Sequence, residues 1–117
     1  MKEYQIQKAV VKYLKLQYPQ ALYCASAGGL RTSITSAVRM KASGYIKGHP
    51  DLAILEPLGK YHSLYLEIKT EKGKPTREQL WWRNELNKRD FYCKIVYGYE
   101  EAVECIDNYL KGNIDES

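Results

Sequence analysis

The chain has 117 residues, 44% of them hydrophobic and 27% charged, which allows one hydrophobic core and argues against a disordered chain. Its net charge of +4 is unevenly placed: residues 1–99 carry 17 Lys and Arg against 8 Asp and Glu, whereas the last 18 residues carry one against six. The basic body suits a polyanion, with nucleic acid first. The lack of a long apolar run or secretory stretch argues against a membrane protein and for a soluble, intracellular one.

The chain opens with an amphipathic helix from about Glu3 to Gln17. Ile6, Ala9, Val10, Tyr13 and Leu14 fall on one side and Lys8, Lys12 and Lys15 on the other, and Tyr18-Pro19 ends the pattern. Residues 22–26 read as a short strand, and Ala27-Gly28-Gly29-Leu30-Arg31 as a loop. A second helix starts at Ser33 or Thr35 and stops at Gly44. Asp51–Leu55 and Ser63–Thr70 read as two strands joined by a turn around Pro57 and Gly59. Thr76 opens a third helix to about Arg89, Tyr92–Tyr97 is a fourth strand, and a last helix runs from about Glu100 to Leu110. The order α β α β β α β α predicts an α/β domain with a central four-stranded sheet under flanking helices, spanning residues 1–112 ahead of a short acidic tail, 113–117.

Cys24, Cys93 and Cys105 are odd in number and widely spaced, which argues against disulfides and zinc fingers and for buried thiols. His49 and His62 make no usual metal spacing with them. The adjacent Trp81 and Trp82 point about 100° apart on a helix, so one is expected to pack inward and the other to face a partner.

The stretch with chemistry in it is Gly48-His49-Pro50-Asp51, followed sixteen residues after the aspartate by Glu67-Ile68-Lys69. Alternation in a strand sends Glu67 and Lys69 to one face and Ile68 to the other, and an antiparallel hairpin brings Asp51 beside Glu67. Two carboxylates about 5 Å apart repel by roughly 3 kcal/mol at an effective dielectric near 20. A hard divalent cation such as magnesium turns that repulsion into binding and can polarise a phosphate. The bland alternative is a strand start at Asp51 and a solvated Glu-x-Lys face. Glu3 lies inside the apolar stripe of the first helix, between Val10 and Leu14, so it either finds a partner or complements the helix N-terminus. Gln79 closes a capping box with Thr76, or hydrogen-bonds a phosphate or a metal-bound water.

Glu3 and Gln7, Gly48-x-Pro50-Asp51-Leu52, Glu67-x-Lys69 and Gln79 together resemble the PD-(D/E)XK nuclease superfamily, and within it the VRR-NUC domain. The resemblance covers almost the whole chain, including the Gly-Gly loop. Ala27 departs from it, standing where many relatives carry Asn. It implies a restriction-endonuclease-like core and a magnesium-dependent endonuclease, with manganese able to substitute, that cuts DNA. By position, Asp51 and Glu67 would bind the metal with the Ile68 carbonyl, and Lys69 would position or activate the attacking water. Glu3 would complete the acidic cluster, and Gln79 would orient the site or the scissile phosphate. Arg31, Arg39, Lys41, Lys47, Lys72, Lys74 and Arg77 flank the site as candidate phosphate contacts, although each alone also reads as solvated charge. Stand-alone relatives imply a homodimeric Holliday junction resolvase, cytoplasmic and of phage or bacterial origin. A flap or nick nuclease of the same chemistry and a non-cleaving DNA-binding module are the alternatives.

Overall fold

Leu64, Leu66 and Ile68 alternate with Tyr65, Glu67 and Lys69, and this six-residue run forms an inner strand of a four-stranded sheet. In a computed structural model of the protein, which describes residues 1–26 and 33–114, the elements are α1 (Glu3–Gln17), β1 (Tyr23–Ala25), α2 (Ile34–Ala42), β2 (Leu52–Ile54), β3 (Leu64–Lys69), α3 (Arg77–Asn87), β4 (Tyr92–Tyr97) and α4 (Tyr99–Leu110). The strands lie in the order β1-β2-β3-β4, antiparallel except for the parallel pair β3–β4. A parallel pair needs a crossover, and α3 supplies it. The mixed α/β architecture expected from the sequence is the one observed. The expected Gly-Gly loop with Ala27, the candidate contact Arg31, and the last residues of the acidic tail lie outside the described residues.

The core occupies one face of the sheet. Leu52 and Ile54 of β2 and Leu64, Leu66 and Ile68 of β3 meet Ile6, Val10 and Leu14 of α1 and Ala102, Ile106 and Tyr109 of α4. α1 carries these residues at the spacing of a helical stripe, while Lys8, Lys12 and Lys15 stay exposed. α3 covers the opposite face of β4, with Leu86 buried beneath it. α2 differs from the other helices in having no buried residue; Ser33 caps it by accepting from the Ser36 backbone N–H at 3.1 Å.

One expectation changes. Cys93 and Cys105 are buried, but Cys24 is exposed. Strand alternation explains it: Tyr23 packs against the core, so its neighbour Cys24 on edge strand β1 turns to the uncovered face.

α1 and α4 are latched by polar contacts at the edge of the core. The hydroxyls of Tyr13 and Tyr18 both donate to Asp107 Oδ1, each at 2.6 Å. Hydrogen bonds to a charged acceptor contribute about 1.5–3 kcal/mol. Urea unfolding should therefore show Tyr13→Phe and Tyr18→Phe each destabilised by about 1 kcal/mol or more, and Asp107→Ala by more than either. Unchanged stability in Asp107→Ala would remove the latch from the account.

Candidate active site

β2 and β3 pair with Leu52 opposite Leu66 and Ile54 opposite Leu64. Continuing that register by one residue sets Asp51 opposite Glu67. Asp51, half-buried, anchors there by accepting the Ile68 backbone N–H on Oδ2 at 2.7 Å. Its own carbonyl accepts from the Ser26 N–H at 2.8 Å, so both neighbouring strands hold it.

Glu67 and Lys69 share the α3 side of β3, and neither is solvated: they are 4% and 7% exposed. Burial pushes the Glu67 carboxyl up to about 9, with the charge of Asp51 and a carboxyl–carboxyl hydrogen bond to it adding to the rise. Lys69 opposes the shift and Glu3 adds to it. This is the arrangement in which two acids compete for one proton.

Gln79 closes the capping box and also reaches the acid pair. Its Oε1 accepts from the Thr76 N–H at 2.9 Å and its backbone N–H donates to Thr76 Oγ1 at 3.1 Å, closing the capping box. Its Nε2 then donates to Glu67 Oε2 at 3.1 Å. Glu3, at the first turn of α1, has its carboxylate 3.8 Å from Lys69 Nζ. The acid inside the apolar stripe thus finds a partner, and that partner is the lysine. Glu3, Asp51, Glu67, Lys69 and Gln79 form one cluster at the end of β3, built from α1, the entry to β2, β3 and the start of α3.

No protein-family profile and no curated protein matches the sequence. Solved structures do. A VRR_NUC domain protein superimposes with a TM-score of 0.83 at 25% identity, over 95% of this chain and 89% of that one. A second structure, a VRR_NUC domain, gives a TM-score of 0.63 at 23% identity, over 93% of this chain and 98% of that one. The chain has the VRR-NUC fold. This is a nuclease fold of the PD-(D/E)XK type.

PD-(D/E)XK-like domains generally use divalent metals. In this chain the donor set suits a hard cation. Among the described residues no group of three or more His, Cys, Asp or Glu side chains could hold a metal unaided. Asp51 and Glu67 offer carboxylate oxygens, and the Ile68 backbone N–H holds Asp51 Oδ2 at 2.7 Å. Magnesium keeps several of its waters and needs one or two carboxylates, whereas zinc or an all-protein calcium cage needs more.

Of the expected phosphate contacts, Lys72 and Lys74 are exposed on the loop that continues β3 past Lys69, and Arg77 is exposed in the first turn of α3. Lys47 is exposed 4.0 Å from Glu78. Arg39 and Lys41 lie on α2, exposed and farther along the chain from the acid cluster. Gln7 is half-buried on α1.

Sequence reasoning missed how the fold holds the segment before Asp51. The Trp82 Nε1–H is shared between the carbonyls of Ile46 at 3.2 Å and Lys47 at 3.0 Å. The His49 ring stands edge-on to Trp82 and Tyr65, with centroids 4.8 and 5.7 Å away. Trp81, next door, is 49% exposed. The adjacent tryptophans were the available signal, but helical geometry alone does not say which one turns inward.

Proposed function

We propose that the protein is a magnesium- or manganese-dependent endonuclease that hydrolyses DNA phosphodiester bonds. In this reading it is a cytoplasmic enzyme of phage or bacterial type, with residues 1–112 as the nuclease domain. The observation that carries the reading is the buried Glu67 beside Asp51, with Lys69 two residues on along the same strand. Buried, mutually repelling carboxylates are costly unless a cation or a proton neutralises them.

Asp51 and Glu67 hold the metal, with the Ile68 carbonyl as a further ligand. The metal supplies Lewis-acid polarisation of the phosphate and a lowered pKa for bound water. Lys69, steadied by Glu3, orients the attacking water and opposes the charge that builds on the phosphoryl oxygens. Gln79 keeps Glu67 in its rotamer and faces the scissile phosphate. Water oxygen bonds to phosphorus and releases its proton to solvent, as the phosphorus–oxygen bond to the leaving sugar breaks and the freed sugar oxygen takes up a proton from solvent. Lys72, Lys74 and Arg77, with Arg31, Arg39, Lys41 and Lys47, contact flanking phosphates.

The preferred substrate in this proposal is a four-way junction, cut by a homodimer. Two symmetric cuts need two identical sites, and a two-fold dimer presents them. A panel of junction, flap, nicked duplex, linear duplex and single strand, each with magnesium, manganese or chelator, tests both parts. The parent protein should cut the junction fastest, and only with metal. Asp51→Ala should be slower by about a thousandfold, the loss of several kcal/mol of metal-assisted stabilisation. Parental rates in Asp51→Ala would refute the metal mechanism. Faster cutting of flaps or nicks would keep the chemistry and replace the substrate, and chelator-insensitive binding without cleavage would make the protein a DNA-binding module.

A further inference from the structure

One helix reaches both halves of the acid pair. On one side, Gln79 of α3 donates to Glu67 at 3.1 Å. On the other, three contacts from the same helix hold the segment that delivers Asp51. Trp82 donates its indole N–H to the carbonyls of Ile46 and Lys47, 36 and 35 residues away in the chain. Gly48 then lies so close to α3 that a Cβ there would stand 2.7 Å from the Glu78 backbone, and its φ of 95° also favours glycine. His49 seats its ring edge-on against Trp82, and the fully buried Pro50 follows. Asp51 comes next, with no slack in between.

We propose that Trp82 is a positioning residue: by pinning residues 46–48 to α3 while Gln79 holds Glu67, it sets the separation of the Asp51 and Glu67 carboxylates and so the metal affinity of the site. This rests on the reading of Asp51 and Glu67 as metal ligands. The indole is suited to the task. Its single donor spans two consecutive carbonyls, and its ring supports His49, so one side chain fixes both height and orientation of the segment. Trp81 carries the same ring one residue earlier but makes no such anchor: it is half exposed and meets Trp82 edge-on at 5.5 Å.

The test uses Mn2+ binding to the full chain without DNA, read by isothermal titration and by the Mn2+-induced rise in melting temperature. Trp82→Phe keeps an aromatic ring and removes the N–H. It should weaken Mn2+ affinity by about 10- to 100-fold, the range found when an outer partner of a metal ligand is lost. Trp81→Phe, the same change one position away, should bind Mn2+ as the parent does. On junction DNA, Trp82→Phe should lower kcat with KM unchanged, and excess Mn2+ should restore part of the loss. Gly48→Ala lifts the same segment from α3 by a different route and should weaken Mn2+ binding in the same direction. Parental Mn2+ affinity in both Trp82→Phe and Gly48→Ala, with near-ultraviolet circular dichroism showing folded protein, would overturn the proposal. An equal loss in Trp81→Phe would overturn it too, since the effect would then belong to α3 in general. A parent chain that takes up no Mn2+ would remove the metal-site reading itself, and this inference with it.

Discussion

Glu67→Gln is expected to abolish metal-dependent cleavage while making the metal-free protein more stable at alkaline pH. Glu67 is 4% exposed and faces Asp51, with Glu3 nearby; Lys69 is the cation beside it, Gln79 is a neutral donor, and the buried Cys93 thiol also feels its charge. Its carboxyl is raised from 4.5 to about 9, so the folded chain holds a proton that the unfolded chain has released. The stability contributed by that proton is fully present below pH 4.5 and is lost as the pH climbs from there through about 9. In chelator, the melting temperature of the parent should therefore sag across this window relative to Glu67→Gln, which has nothing to titrate there. Even 1 kcal/mol corresponds to about 4 °C or more in a domain of this size. Metal should reverse the parent's loss, because a divalent cation takes the place of the proton, and should do little for the variant. Parallel pH profiles for the two proteins in chelator would show that Glu67 is not held protonated by its surroundings.

Lys69→Met should lower the cleavage rate by about 10²–10⁴, the span associated with losing a positioned proton-handling or charge-stabilising group, while leaving Mn2+ binding in place. Methionine preserves the buried stem and removes the ammonium group that lies 3.8 Å from Glu3. Glu3 is about half exposed, with 46% of its side chain open to solvent, so Glu3→Gln should cost far less on its own. If Glu3 acts by steadying Lys69, Glu3→Gln should have almost no effect once Lys69→Met is present, a non-additivity that single-turnover kinetics on junction DNA would expose. Additive losses would mean that Glu3 meets the metal or the DNA independently of the lysine.

The structural comparison supports the fold firmly, with 95% of the chain superimposing at a TM-score of 0.83. Substrate geometry and oligomeric state rest on chemistry that fold alone does not encode, because one scaffold can host many selectivities through its loops and surfaces. The α2 surface is a case in point. Its nine residues bury nothing, and Ile34 and Val38 are 85% and 62% exposed, so little in the isolated chain accounts for this helix.

The local patterns in the sequence determined the element order, the four-stranded sheet and the meeting of Asp51 with Glu67. Each follows from short-range rules: a helical stripe in α1, strict alternation in β3, and a hairpin whose register extends to Asp51. The uneven charge likewise pointed to a polyanion before any fold was known. Tertiary structure decided the rest. Whether the Glu-x-Lys face was solvated or buried depended on how the helices pack: the start of α3 brings Gln79 onto Glu67, and Glu3 could be matched to Lys69 only once α1 had been laid along β3. The grip of Trp82 on Ile46 and Lys47 spans about a third of the chain. Contacts at that separation leave no periodic trace in the sequence, because they depend on how whole elements pack rather than on any spacing within one. Three of the eight acids of the basic body are read differently as a result: Asp51 and Glu67 face each other, and Glu3 is matched to a buried lysine.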